Sequence, residues 1–298
     1  MKYATANAFR TALETRLLAR ARATGVSVIR LRKVVVFDRL LARLLVVAPG
    51  RWHLKGALAL DFRLGPGTRA TKDMDLGRAD DEPTSTADFR AAEAADLGDW
   101  FVFAIARTGA LDQLADGSAV RYQVTATLAG RPFERVTVDI GFAGSPPAPD
   151  ALRGPDLLAF ANIAPLTLPA LPLERHVAEK LHAYTREYGG DRQNTRVKDL
   201  VDLVLIGAAA SFEAERLQAA LEATFAGSGL QPLPAALPPP PIAWAGPYRA
   251  LAREVGMPPD IAVGFRAVAA FLDPLLAGQM DERARWDAAA GTWGSGSP

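Results

Sequence analysis

Thr71-Lys72-Asp73-Met74-Asp75-Leu76 alternates polar and apolar residues, the period-two pattern of a half-buried strand. Side chains at i and i+2 share a strand face, so Asp73 and Asp75 point the same way while Met74 and Leu76 turn to the core. Two carboxylates this close repel each other unless water or a cation screens them. Two readings fit: a solvated strand face, or an oxygen pair for a hard divalent ion, above all Mg²⁺ bridging to phosphates.

Val136-Thr137-Val138-Asp139-Ile140 repeats the alternation. Val136, Val138 and Ile140 take one face, which leaves Asp139 on the polar face of a second strand. There it is an exposed residue near a strand end, or a third metal ligand or general base. Three carboxylates can hold two ions about 3.5–4 Å apart, the arrangement that stabilises an in-line phosphoryl displacement. Upstream, Lys55-Gly56 marks a strand-to-helix junction where backbone approaches something closely. Downstream, Lys180 sits mid-helix, and Arg196 leads into Lys198-Asp199-Leu200-Val201-Asp202. Asp199 and Asp202, at i and i+3, are neighbours on one helix face. These groups can grip a triphosphate, or form surface pairs such as Lys198 with Asp202.

Around these stretches the pattern predicts helices over 6–24 and 28–47, a helical stretch from 56 to about 63, and a helix capped by Ser85 or Thr86 and running to about 97. Strands are expected over 100–106, 120–128 and 133–142, with Ala129-Gly130-Arg131 turning the last two into a hairpin. From Pro172 the chain turns helical. One helix runs to Tyr188 and stops at Gly189-Gly190, and others cover 196–209, 212–225, 247–255 and 259–277. Residues 232–247 hold seven of the 22 prolines and read as a semi-rigid connector. The expected organisation is α/β over 1–160, with basic helices and a mixed sheet, then a helical lobe over 161–290, then a tail over 291–298.

The formal charge of the 298 residues is +1, but it is unevenly placed. Residues 1–63 carry thirteen Lys or Arg against Glu14, Asp38 and Asp61, a formal +10 that leaves −9 for the rest. Such a lobe is the footprint of a polyanion-binding surface, or a set of solvated Arg-rich helix faces. The absence of cysteine excludes disulfides, thiolate metal sites and cysteine nucleophiles. Arg39, Arg43 and Arg51 interrupt the best membrane-span candidate, and Arg10, Glu14 and Arg16 break any signal-peptide core, so a cytoplasmic protein is expected. His176 and His182 lie on different faces of one helix, and His53 reads as packed. No Gly-x-Ser-x-Gly or Walker A stretch occurs.

Four stretches, in order, carry a resemblance: Lys55-Gly56-Ala57-Leu58-Ala59-Leu60, Arg69-Ala70-Thr71-Lys72-Asp73-Met74-Asp75, Glu179-Lys180-Leu181-His182-Ala183 and Arg196-Val197-Lys198-Asp199-Leu200-Val201-Asp202. Together they resemble the AbiEii/AbiGii toxin family, which includes the mycobacterial MenT-type toxins. The resemblance implies a DNA polymerase β-like nucleotidyltransferase fold and the toxin half of a type IV toxin–antitoxin pair. It makes Asp73 and Asp75 metal ligands for Mg²⁺, two ions with Mn²⁺ as a substitute, and the strand alternation adds Asp139 as a candidate third ligand. Lys180 would contact the nucleotide phosphates, Asp202 would be an essential carboxylate and Asp199 its companion. Lys55, Gly56, Arg69, Thr71 and Arg196 complete the expected nucleotide-binding set. Ala57-Leu58 stands where the family usually has a second Gly followed by Ser or Thr. The implied partners are an NTP, an RNA such as tRNA and a cognate antitoxin, with translation blocked by modification of the RNA 3′ end. A nucleotidyltransferase acting on a small molecule, and an inactive RNA- or antitoxin-binding scaffold, are the alternatives.

Overall fold

The computed structural model describes residues 2–65, 67–110, 119–142, 149–186 and 196–295. The chain divides into two compact units, Met1–Pro66 with Ala70–Leu171, and Gly67–Arg69 with Pro172–Pro298. The expected helix stop at Gly189-Gly190 and residues 296–298 lie outside the described residues.

In the first unit, helix α1 (Ala6–Thr24) begins where the Thr5 side chain accepts from the Ala8 N–H, and ends at Gly25 in the left-handed region. Its four-residue spacing buries Phe9, Leu13 and Leu17. Helix α2 (Val28–Val47) starts at the Ser27 cap and is buried around most of its circumference. That burial takes in Asp38, Arg39 and Arg43, which must therefore be paired. Arg43, with no exposure, holds Asp99 at 2.7 and 2.9 Å and donates to the Ala95 and Phe101 carbonyls, while Arg39 pairs with Asp38.

Strand β1 (His53–Lys55) runs directly into α3 (Gly56–Leu64), and β2 (Asp73–Gly77) follows. Helix α4 (Glu82–Ala94) is capped by Asp81, which accepts from the Thr84 N–H. Ser85, expected as a cap, is fully buried inside the helix instead. Next come β3 (Phe101–Ala110), β4 (Ala119–Leu128) and β5 (Arg131–Gly141), then β6 (Asp150–Arg153) and β7 (Thr167–Ala170). They form one mixed sheet in the order β3-β4-β5-β2-β1-β7-β6. β2 runs parallel to β5 and β1 parallel to β7, and the other described pairs are antiparallel. The β4–β5 turn has Ala129 and Gly130 at φ 53° and 68°, the twist a tight hairpin requires. Four-residue strands such as β6 and β7 carry too little periodicity to be read from sequence, and neither was expected.

The second unit contains α5 (Leu173–Thr185), α6 (Val197–Ala209), β8 (Phe212–Glu213), α7 (Ala214–Ser228), α8 (Ala245–Glu254), α9 (Ile261–Leu276), β9 (Arg285–Asp287) and β10 (Thr292–Gly294). The proline-rich connector is tied down: Tyr184 donates to the Pro238 carbonyl at 2.7 Å, and the Leu237 N–H donates to Asp273 at 2.8 Å. The tail reading is corrected for residues 292–294. β10 pairs with β9, and β9 with β8. Trp293 stacks on Phe271 and donates its indole N–H to the Phe271 carbonyl at 2.8 Å. An aromatic flanked by glycines can carry a short strand when a ring lies beneath it.

Candidate active site

β2 displays its residues as the alternation requires, with Met74 and Leu76 fully buried and Asp73 and Asp75 partly exposed on the other face. The Thr71 hydroxyl donates to the Asp73 carbonyl at 2.8 Å and fixes the entry to the strand. Sheet register does the rest. Asp75 lies opposite Asp139 on β5 and opposite Lys55 on β1, and Asp139 lies opposite Arg121 on β4. Directly paired residues share a face. Arg121, Asp139, Asp75 and Lys55 therefore form one row across four strands, charged plus, minus, minus, plus.

Gly56 is what lets the helix start this close. It has φ +66°, and a Cβ built on it would lie 2.6 Å from Asp75 Cγ and 2.8 Å from Asp75 Cβ. The Asp75 carboxylate thus packs against the first residue of α3, at the positive end of that helix. Leu58 is fully buried, so the position where the resemblance implies a hydroxyl is a core residue in this chain. His53 is also packed, with its ring over Gly77. Burial, with help from nearby Lys55, pulls its pKa down to about 4.

Asp139 stands beside Asp75 as expected, but its carboxylate is engaged. Arg121 donates to both oxygens, Nε to Oδ1 at 2.7 Å and Nη2 to Oδ2 at 2.6 Å. That bond, then the charge of Asp139, Asp73 and Asp75, raises the guanidinium pKa against its partial burial. Among the described residues no three acidic or histidine side chains stand gathered around a metal position. The expected three-carboxylate cluster is thus not assembled in this arrangement. Asp73 and Asp75 are nonetheless a fitting donor pair for a hard cation, because both are carboxylates on one partly exposed strand face.

A second charged group lies within the second unit. The Lys180 ammonium, 12% exposed, is 2.8 Å from both Asp199 and Asp202, whose side chains are 2% and 1% exposed. Arg69 donates to Asp202 through Nε at 2.8 Å and Nη2 at 3.0 Å, and Arg196 lies 3.7 Å from Asp199. Burial would lower the Lys180 pKa, but Asp199 and Asp202 outweigh it and raise it above its ordinary value. Burial would raise Asp202, but Lys180 and Arg69 pull it down to about 2. The surface pair of Lys198 with Asp202 gives way to this network. The partner that sequence reasoning missed for Asp202 is Arg69, 133 residues away.

Five arginines of the basic lobe are paired inside the first unit, three of them with acids of the same segment. Arg30 pairs with Asp61, Arg32 with Glu14, Arg39 with Asp38, Arg43 with Asp99 and Arg63 with Asp150. Arg10 donates to the carbonyls of Leu128, Arg131 and Pro132. Arg16, Arg20 and Arg22 remain exposed on α1, with Arg16 4.3 Å over the Phe160 ring. No described helix is long and apolar enough to cross a membrane.

The fold resembles that of a solved nucleotidyltransferase toxin. The chain is 21% identical to the MenT4 nucleotidyltransferase toxin of Mycobacterium tuberculosis, over 91% of this chain and 90% of that one, with a TM-score of 0.56. A putative nucleotidyltransferase from H. pylori matches at 16% identity over 87% of this chain and 91% of that chain, with a TM-score of 0.41. No curated protein matches the sequence significantly. Residues 39–291 match the family described as nucleotidyl transferase AbiEii toxin, type IV toxin–antitoxin system. That span holds β2, the Arg121–Asp139 pair and the Lys180 network, and the chain belongs to the AbiEii family of nucleotidyltransferase toxins.

Proposed function

We propose that this toxin is a Mg²⁺-dependent enzyme that transfers a nucleoside monophosphate from an NTP to an RNA 3′ end, with tRNA as acceptor, and so blocks translation. The observation that carries the reading is the pair Asp73 and Asp75 on one face of β2, with Asp139 in register beside them and the start of α3 packed against Asp75. The acceptor 3′-hydroxyl oxygen attacks the α-phosphorus, the bond to the bridging oxygen of the β-phosphate breaks and pyrophosphate leaves. The hydroxyl proton passes to a carboxylate of this face or to water.

Asp73 and Asp75 would hold Mg²⁺, with Asp139 as a third ligand, and Mn²⁺ as a substitute. The bound ion would supply neutralisation of the charge that spreads over the phosphoryl oxygens. Backbone N–H groups at the start of α3 suit a phosphate, since Leu58 offers no hydroxyl. In the second unit, Lys180 and Arg196 are the cations that the family resemblance sets apart for phosphate. Asp199 and Asp202 keep Lys180 protonated and aimed, and Arg69 fixes Asp202. Arg16, Arg20 and Arg22 on α1 form the basic surface for RNA.

The test is incubation of the protein with total cellular RNA, Mg²⁺ and each labelled NTP in turn, beside Asp75→Ala. Label entering a tRNA-sized band from one NTP, and lost in the variant, supports the reading. The internal pairing of five N-terminal arginines favours one second reading, a small-molecule acceptor. Acceptor binding that weakens steeply with salt supports RNA, and a flat salt dependence supports the small molecule.

A further inference from the structure

We propose that Arg121 is a resident counter-cation of the catalytic face, holding Asp139 away from Asp73 and Asp75 and competing with the metal ion for its carboxylate. The inference rests on the metal reading given above and adds to it a residue that sets metal affinity.

The row across the sheet raises the problem Arg121 solves. Asp75 and Asp139 are direct neighbours on β2 and β5, and Asp73 shares their face one step along. Without a cation, three carboxylates on one face repel one another, and Lys55 on β1 offsets only one charge. Arg121, opposite Asp139 on β4, supplies a second positive charge through a bidentate fork at 2.7 and 2.6 Å. The metal-free face is thereby close to balanced.

Two observations make this pair exchangeable. The Arg121 side chain is 42% exposed, against 15% for Asp139. Its guanidinium has one carboxylate partner among the described residues, so it can swing into water after giving up that single contact. Arg43 shows the opposite design in the same unit: no exposure, an aspartate and three carbonyls as partners, and Phe103 beneath it. Arg121 instead sits at the solvent edge of the carboxylates, where a divalent cation offers Asp139 a stronger partner and displaces it.

The experiment titrates the purified full chain with Mn²⁺ alone, without nucleotide, and reads bound metal by calorimetry or paramagnetic resonance. The proteins are the unaltered chain, Arg121→Gln, Asp139→Asn, the double variant and Asp75→Asn. Competition predicts that Arg121→Gln binds Mn²⁺ roughly fivefold tighter, a modest figure because the pair is partly exposed. In the Asp139→Asn background the same substitution changes affinity much less. Arg121→Lys, which keeps the charge but loses the fork, falls between and guards against misfolding. Generic damage to the sheet would weaken binding, so tightening is not a structural side effect.

Unchanged or weaker binding in Arg121→Gln, while Asp75→Asn still abolishes binding, overturns the competition and leaves the metal reading standing. Binding that survives Asp75→Asn overturns the metal reading and the competition with it. No binding by any of the proteins also overturns both.

Discussion

Replacing Gly56 with Ala tests the contact on which the site geometry depends. The substitution meets two separate penalties. At φ +66° an L side chain sits in the left-handed region, at a cost of about 1–2 kcal/mol. The new Cβ also lies 2.8 Å from Asp75 Cβ and 2.6 Å from Asp75 Cγ. Rotating the Asp75 side chain relieves the second overlap but not the first, because Cβ moves only with the backbone. That backbone is fixed by Met74 and Leu76, both fully buried, and by pairing to β1 and β5. Overpacking of this kind adds about 1–3 kcal/mol, for a total of roughly 2–5 kcal/mol. Gly50→Ala isolates the backbone penalty, since Gly50 has φ +72° and nothing within 4 Å of its built Cβ. Urea denaturation of both variants measures the difference. In the labelled-NTP assay Gly56→Ala should lose about a hundredfold, the usual consequence of displacing a reacting group by about 1 Å. A stability loss equal to that of Gly50→Ala, with full incorporation, would refute the packing of Asp75 against the start of α3.

Three further outcomes follow from the same structure. Lys180→Met leaves Asp199 and Asp202 buried without their shared ammonium, and should cost about 3–5 kcal/mol by urea denaturation; a loss under 1 kcal/mol would mean that Arg69 and Arg196 satisfy both carboxylates alone. His53 has a folded pKa of about 4, below its ordinary 6.5, so the unfolded chain binds more protons between those values and stability falls as pH drops through that window, by about 3 kcal/mol from this residue. The difference in unfolding free energy between the unaltered chain and His53→Gln should therefore vary with pH over 4–6.5, and a constant difference would contradict the burial of a neutral ring. Trp293→Ala removes the stack on Phe271 and the bond to its carbonyl, and should lower the melting temperature by several degrees, about 1–3 kcal/mol; no change would return residues 292–294 to the status of a tail.

Local rules made much of the chain legible in sequence. Phe9, Leu13 and Leu17 recur at the helical period, which is enough to place α1, and the structure adds Thr5, Gly25 and Ser27 as its caps and that of α2. The shared face of Asp73 and Asp75 follows from the pleat alone, and the hairpin at Ala129-Gly130 from a two-residue turn. Caps chosen among several candidates were harder to place, as Asp81 in place of Ser85 or Thr86 shows.

What tertiary structure decided was which distant groups meet. Lys55, Asp75, Asp139 and Arg121 line up because β2 lies between β1 and β5 in one register, and a shift of one residue would turn each of those side chains to the other face. No periodicity within a segment specifies its neighbour in the sheet. Arg69 meets Asp202 and Arg43 meets Asp99 for the same reason, since burial on both elements obliges each charge to find its opposite wherever the chain delivers it. The positive charge of the N-terminal segment was plain in composition. Which of its cations meet Asp99 and Asp150 from later segments, and which meet Glu14 and Asp61 of the same segment, was settled by packing.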